Sequence, residues 1–186
     1  MDKRIHFLNR EYESFFKQYE QNRHIMKKIQ IITSVFEYNS IDELSQEEQK
    51  LVKNAKEAAL RSYSPYSKFS VGAAILLGNK DIIQGNNQEN SAYPSGMCAE
   101  RVAMFYANSK FPDVPINAIA ITARTNGSFL ENPISPCGSC RQVLLETEER
   151  FNQPIKLILY GEKKIRIVET IKEMLPLYFE KDMLEE

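Results

Sequence analysis

The stretch ISPCGSCRQ (residues 134–142) contains Cys137 and Cys140, two of the three cysteines in the chain. Pro136 is typical of the start of a helix, and the apolar spacing of RQVLLETEERF predicts that the helix continues beyond the stretch. Three explanations fit this pair of cysteines: a redox pair, half of a metal site, or two core cysteines that happen to be close. The rest of the chain decides among them.

Strands and helices alternate on both sides of this stretch. Alternating or β-branched runs predict strands over residues 29–38, 69–77, 82–85, 116–125, 155–160 and 165–168. Apolar residues at helical spacing predict four helices: from Asp42 or Ser45 to about Tyr63, from near Cys98 to about Asn108, after Pro136, and over residues 171–175. This order predicts a layered α/β domain with partly parallel strands.

The N-terminal part of the chain has a different pattern. Large apolar residues recur there at helical spacing, at Ile5, Leu8, Tyr12, Phe15 and Tyr19. This spacing predicts an amphipathic helix that packs on the core or on another subunit. An alternative is that Met26 is the natural start and that residues 1–25 are an extension.

Composition excludes several classes of protein. The 186 residues suffice for one domain with a substantial core, and 42% of them are hydrophobic. A net charge of -1 provides no general attraction to nucleic acid. The sequence contains no apolar run long enough to span a bilayer and no secretory signal, so we expect a cytoplasmic protein without a membrane partner.

The third cysteine favours a metal site. Cys98 opens the predicted helix CAERVAMFYA, so all three cysteines lie at the starts of two helices, where the helix dipole favours the thiolate that zinc binds. The two histidines, His6 and His24, lie upstream of the predicted core. Three thiolates would leave the fourth coordination position to water, as in catalytic zinc sites.

Glu100 and Arg101, which follow Cys98 closely in the sequence, fit such a metal site. The carboxylate of Glu100 would lie beside the metal and could take a proton from the bound water. Three thiolates and Zn²⁺ carry a net negative charge, which opposes deprotonation of that water. We therefore expect Arg101 to donate a hydrogen bond to a cysteine sulfur, with an ordinary ion pair as the alternative.

These motifs carry a family resemblance. Residues 98–100 (CAE) and 136–140 (PCGSC) match the zinc deaminase signature. Four stretches resemble the cytidine deaminases of free nucleosides: PYSKFSVGAA (65–74), GNNQENSAYPSGMCAERVA (85–103), SPCGSCRQ (135–142) and LPLYF (175–179). The resemblance implies a three-layer α/β/α fold with a mixed five-stranded central sheet. It also implies a catalytic domain over residues 46–186. From the apolar spacing and the β-branched run described above, we expect residues 1–45 to form an N-terminal extension with the amphipathic helix and an extra strand.

The same resemblance implies a substrate site. Asn87 and Glu89 would bind the ribose 3′-hydroxyl, since a carboxamide and a carboxylate can donate to and accept from a hydroxyl. Tyr93 would lie near the 5′-hydroxyl. Phe69 would stack on the pyrimidine, and Phe179 would reach into the site of a neighbouring subunit.

The implied activity is hydrolytic deamination of cytidine and deoxycytidine to uridine and deoxyuridine plus ammonia, in pyrimidine salvage. Glu100 would transfer the proton, the backbones of Ala99 and Cys137 would hold the base edge, and one Zn²⁺ per subunit would be the cofactor. The single-domain length resembles the short, homotetrameric branch of the family, whose sites are shared between subunits.

Four alternatives stay open. A deaminase of another cytosine nucleoside, such as blasticidin S, would share these motifs. A deaminase of DNA or RNA would need a basic, aromatic-lined channel, which the net charge disfavours. A non-enzymatic zinc-stabilised module would require a fourth protein ligand, and a redox protein would act without zinc.

Overall fold

The computed structural model describes Glu13, Lys17 and residues 27–184. The chain divides into two units, Met1–Ile32 and Thr33–Glu186. In the first unit, Glu13 and Lys17 are helical and exposed. Met26 and the residues that predict the amphipathic helix lie outside the described residues: Ile5, Leu8, Tyr12, Phe15 and Tyr19.

The second unit contains the sheet and its helices. Its strands are β1 (Phe36–Tyr38), β2 (Phe69–Leu77), β3 (Ile82–Asn86), β4 (Ile116–Thr125), β5 (Ser128–Phe129), β6 (Lys156–Tyr160) and β7 (Ile165–Val168). Its α-helices are α1 (Gln46–Ala59), α2 (Ala99–Lys110) and α3 (Gly138–Phe151). Short 3₁₀ turns cover Ile41–Glu43, Tyr93–Ser95, Ile171–Met174 and Lys181–Leu184. No helix in the described part of the chain combines the length and apolarity needed to cross a membrane.

The strands form one mixed sheet in the order β1-β7-β6-β4-β2-β3, and β5 pairs with β4. The pairing of β4 with β6 is parallel, and the other pairings are antiparallel. Helix α1 packs on one face with Ala74 and Ile158, whereas α2 and α3 pack on the other face with Ile75 and Leu157. The predicted three-layer α/β/α fold is therefore confirmed.

Within the described residues the sheet has seven strands, so the number predicted for the central sheet, five, is wrong. One of the further strands, β1, is the extra strand predicted in the N-terminal extension; the other, β5, was not predicted, and both are short. β5 forms through the turn at Asn126 and Gly127, both of which have positive φ. The strand predicted over residues 29–38 is confined to Phe36–Tyr38, the part that pairs with β7, and Ile32 is 82% exposed. A β-rich sequence becomes a strand only where a neighbouring strand is available.

Two of the helices begin or pack as their local sequence requires. Ser45 is the N-cap of α1 and forms a capping box with Glu48, which decides between the two predicted starts. Helix α2 lies directly on β3, since a Cβ at Gly85 would meet the backbone nitrogen of Ala103 and the carbonyl oxygen of Ala99 at 2.5 Å. Only glycine allows this close contact. The contact determines how near the first turn of α2 lies to the sheet.

Candidate active site

The three cysteines meet where the N-termini of α2 and α3 come together. Cys98 is the N-cap of α2, Cys137 is the N-cap of α3, and Cys140 lies in the first turn of α3. Further along, the side-chain amide of Asn108 on α2 donates to the hydroxyl of Thr147 on α3 at 3.2 Å. The two helices thus lie side by side with both dipoles directed at the sulfur atoms.

The geometry of the sulfur atoms fits a zinc ion. The Sγ atoms of Cys98 and Cys137 are 3.9 Å apart, and those of Cys137 and Cys140 are 3.5 Å apart. Tetrahedral zinc with Zn–S bonds of about 2.3 Å separates its sulfur ligands by roughly 3.8 Å. Within the described residues, these three cysteines form the only group of three or more metal-binding side chains, all within 4.8 Å of one another. The cluster is therefore positioned to hold a metal ion with three sulfur atoms, which would leave one of four tetrahedral positions open.

Hydrogen bonds within the cluster shift the pKa values of Cys98 and Cys140 in opposite directions. A hydrogen bond with Cys140 is the main cause that lowers the pKa of Cys98 to about 5, with Arg101 and Cys137 also contributing. The same interaction with Cys98, together with burial, raises the pKa of Cys140. Arg101 Nη2 donates to Cys98 Sγ at 3.8 Å, and this contact raises the pKa of the guanidinium. The negative charge is thus favoured on Cys98 and is partly balanced by the guanidinium of Arg101, whose hydrogen bond to a cysteine sulfur is the contact that the sequence predicts.

Glu100 is a buried carboxyl group next to the cluster. It lies in the first turn of α2 and is only 5% exposed. Burial is the main cause that raises its pKa above the ordinary value. A carboxyl group with a raised pKa next to the open side of a metal site can both accept and return a proton near neutral pH.

A cavity of about 620 Å³ opens over this cluster. Most of the predicted site residues line it: Asn87, Glu89, Tyr93, Cys98, Ala99, Glu100, Arg101 and Cys137. Cys140 is fully buried beneath them. The volume is in the range that holds a small organic ligand.

Asn87 and Glu89 also hold the wall of the cavity. The side chain of Asn87 accepts from the backbone N–H of Val71 at 2.7 Å and donates to the carbonyl of Phe69 at 2.9 Å. The Glu89 carboxylate accepts from the backbone N–H of Tyr66 at 2.9 Å and from the hydroxyl of Ser67. These hydrogen bonds orient both side chains and lower the pKa of Glu89, chiefly through Ser67.

Two predicted residues do not line the cavity of this chain. Phe69 is half-buried at the start of β2, and Val71, on the same face of the strand, lines the cavity instead. Phe179 is 56% exposed and also lies outside the cavity lining, and its predicted role concerns a neighbouring subunit. Both roles stay predictions.

Sequence reasoning assigned no role to several lining residues. They are Tyr66, Ser67, Val71, Gln88, Asn90, Gly96, Met97, Ile134 and Ser135. All of them fall within or beside the stretches that carry the resemblance, which is the signal that could have identified them. The ring of Tyr66 meets that of Tyr93 edge-on, with centroids 6.3 Å apart.

A family model and individual relatives assign this chain to the same family. The model of the cytidine and deoxycytidylate deaminase zinc-binding region matches residues 45–152. The cytidine deaminase of Sporosarcina psychrophila is 40% identical over 136 residues, 73% of this chain and 93% of the relative. That of Halalkalibacterium halodurans is 44% identical over 98 residues, 53% of this chain and 70% of the relative.

Solved structures give the same result. The crystal structure of cytidine deaminase from Burkholderia pseudomallei aligns with a TM-score of 0.61 and 33% identity, covering 73% of this chain and all of that one. The enzyme from Mycobacterium tuberculosis aligns with a TM-score of 0.58 and 30% identity, covering 73% and 99% of the two chains. The zinc-binding region and the sulfur geometry confirm zinc as the cofactor. This chain belongs to the cytidine deaminase family.

Proposed function

We propose that this enzyme deaminates cytidine and deoxycytidine by hydrolysis, releasing uridine or deoxyuridine and ammonia. The observation that carries this proposal is the buried Glu100 beside three cysteines whose spacing leaves one zinc position open, at the base of a cavity of about 620 Å³. The relatives named above are cytidine deaminases, which supports the same substrate class.

The proposed ligands are the thiolates of Cys98, Cys137 and Cys140. Bound zinc would supply Lewis-acid chemistry, lowering the pKa of a water molecule in its open position. The guanidinium of Arg101, which donates to Cys98 Sγ, offsets the negative charge of the thiolates. The helix dipoles of α2 and α3 act in the same direction.

The proton steps belong to Glu100. Its carboxylate accepts a proton from the attacking water as the water oxygen forms a bond to C4 of cytosine. It then delivers that proton to N3, giving a tetrahedral carbon. The second proton from the water passes to the amino group, the C4–N4 bond breaks, and ammonia leaves. The backbones of Ala99 and Cys137 hold the base edge during these steps.

The sugar is bound by residues of the loop after β3. Asn87 already uses one donor and one acceptor on the β2 backbone, so its second amide hydrogen is left for the 3′-hydroxyl. Glu89, ionised and fixed by Ser67, accepts from the same hydroxyl. Tyr93 lies near the 5′-hydroxyl, Phe69 stacks on the pyrimidine, and Phe179 reaches into the site of a neighbouring subunit.

We also propose a homotetramer with one zinc ion per subunit and sites shared between subunits. The exposure of Phe105, Tyr106, Tyr93 and Phe179 supports this proposal, since each is at least 48% exposed in the single chain. Light scattering should give about four times the 21.5 kDa mass of one chain. A monomeric mass would contradict the assembly.

The cellular setting follows from the same chemistry. We propose a cytoplasmic enzyme of pyrimidine salvage, since unpaired thiolates suit a reducing compartment. We assign residues 46–186 to the catalytic domain and residues 1–45 to an extension that adds β1 to the sheet.

Ammonia release from a panel of nucleosides, with zinc measured on the same sample, tests the activity. We expect turnover of cytidine and deoxycytidine, and little with cytosine, adenosine or dCMP. Turnover of blasticidin S alone would indicate the other cytosine-nucleoside deaminase. Full zinc content without turnover of any substrate would indicate a structural zinc module.

A further inference from the structure

We propose that Arg141 is a positioning residue that clamps the C-terminal segment (residues 170–179) onto the metal loop (residues 134–137), and that this clamp slows the release of zinc. The inference rests on the zinc site proposed above. The residue follows the proposed ligand Cys140 directly, and its guanidinium donates hydrogen bonds to two backbone carbonyl groups.

The guanidinium of Arg141 joins two parts of the chain that are far apart in sequence. Its Nε donates to the carbonyl of Pro136 at 2.9 Å, and its Nη1 donates to the carbonyl of Met174 at 2.9 Å. Pro136 is buried and directly precedes Cys137. One side chain therefore connects the residue before a ligand to the 3₁₀ turn Ile171–Met174.

Further contacts attach the C-terminal segment along α3. The side-chain amide of Gln142 donates to the carbonyl of Phe179 at 3.0 Å. The carboxylate of Glu148, only 3% exposed, accepts from the backbone N–H of Ile171 at 2.8 Å and from the hydroxyl of Thr170. Arg141 extends this attachment to the metal loop, so movement of the segment is transmitted to the loop through the guanidinium.

The metal loop lies outside the helices and strands, so the hydrogen bond from Arg141 can stabilise its conformation. Residues 133–137 have no regular secondary structure, and Cys137 at their end is exposed. Partners outside the coordination shell commonly change metal affinity by about 10–100-fold. A lysine would keep the positive charge, but it lacks the planar fork that donates in two fixed directions.

The test compares Arg141→Lys with Arg150→Lys in the full-length, zinc-loaded protein. Arg150 is a matched control because it lies on the same helix and donates to the carbonyl of Pro112, away from the metal loop. Zinc release to a chromogenic chelator and hydrogen exchange of residues 170–179 are measured without substrate. We expect Arg141→Lys to release zinc at least about tenfold faster and to exchange faster across the segment, whereas the control matches the wild type.

A third variant separates the contact of Gln142 with Phe179 from the contacts of Arg141. Gln142→Met removes the donor to Phe179 and leaves both bonds of Arg141, so it should increase exchange near residue 179 without changing zinc release. Excess zinc should restore turnover to Arg141→Lys, which a general loss of folding would not allow. If Arg141→Lys does not fold, Arg141→Gln replaces it with the same expected results.

The proposal is contradicted if the rate of zinc release from Arg141→Lys equals that from Arg150→Lys. It is also contradicted if hydrogen exchange of residues 170–179 in Arg141→Lys equals that in the wild type. Both readouts are independent of catalysis. Failure of the proposed deaminase activity would appear instead as absent turnover in the zinc-loaded wild type.

Discussion

At the scale of single residues, the site depends on which groups are charged. Arg101 reaches the sulfur of Cys98, and Glu100 lies buried next to it. The spacing Cys-x-Glu-Arg on a helix start predicts both positions, because a helix fixes the directions of neighbouring side chains. The hydrogen bonds of Glu89 to residues 66 and 67 could not be predicted, since they join positions 22 and 23 apart in the chain through loop geometry alone.

Replacing Cys137 with serine tests the ligand set. A hydroxyl is a poor zinc ligand, so we expect Cys137→Ser to bind zinc more than about 100-fold more weakly than the wild type, beyond the effect of partners outside the coordination shell. Zinc content after dialysis against a chelator measures this. Ser139→Ala, on the exposed neighbour in the same helical turn, is the control. Full zinc stoichiometry in Cys137→Ser would remove this cysteine from the ligand set.

Asn87→Ala tests the sugar site. We expect KM for cytidine to rise, and stability to fall by about 1–3 kcal/mol because the polar groups of Val71 and Phe69 lose their partner. The specific readout is discrimination against 3′-deoxycytidine. The wild type should reject this analogue strongly, and the variant much less, because a site built for a hydroxyl penalises its absence. An unchanged ratio of kcat/KM values for the two substrates would make Asn87 a purely structural residue.

At the scale of elements, the bounds of β2, β4 and β7 agree with the sequence prediction because each is rich in apolar and β-branched residues. Other elements depend on partners. β1 is short because only three residues of the predicted strand 29–38 pair with β7. The helix predicted over residues 171–175 is a single 3₁₀ turn held by Thr170 and Glu148. Local sequence does not contain this information.

The contact of α2 with β3 can be tested at Gly85. Gly85→Ala would place a methyl group 2.5 Å from the backbone of α2, which must then move outward and carry Cys98 away from Cys137. We expect a loss of about 1–3 kcal/mol of stability and faster zinc release. Thermal unfolding and chelator competition measure these effects.

Gly138→Ala is the control for this change. Gly138 begins α3 next to Cys137, and a Cβ there meets nothing within 4 Å. Its stability and zinc release should stay close to those of the wild type. Equal effects from the two substitutions would show that α2 does not depend on the close contact at Gly85.

The capping box of α1 predicts a pH dependence. Burial acts to raise the pKa of Glu48, but hydrogen bonds from Ser45 and the ion pair with Lys156 outweigh it and lower the pKa below the ordinary 4.5. The stabilisation is thus complete above pH 4.5 and is lost as the pH falls through the lower, folded-state pKa.

Glu48→Gln should therefore lower Tm at pH 7, and the difference from the wild type should shrink below pH 4.5. Thermal unfolding across this range measures it. Glu47→Gln, in the same turn with an exposed ion pair to Lys80, should have little effect at pH 7. A Tm difference for Glu48→Gln that grows on acidification would contradict the assignment.

At the scale of the whole molecule, the fold places the N-termini of α2 and α3 together at the edge of one cavity. The three-layer architecture was predictable from the alternation of strands and helices and from the family resemblance. The cavity itself was less predictable, because its walls come from β2, the loop after β3 and the segment before α3. Phe179, which is predicted to reach into a neighbouring subunit, lies outside the cavity of the single chain, in agreement with the proposed assembly. Phe69 also lies outside the cavity lining, and its stacking on the pyrimidine stays a prediction.

The central claim is that Glu100 transfers the proton in zinc-dependent deamination of cytidine. The most direct test is the turnover of cytidine by zinc-loaded Glu100→Gln, with zinc content measured on the same sample and Glu146→Gln, an exposed residue of α3, as the control. We predict zinc content equal to the wild type and a loss of about 10²–10⁴-fold or more in kcat, with the control unaffected. Turnover of Glu100→Gln within about tenfold of the wild type would contradict the account, because general acid–base catalysis alone contributes more than that.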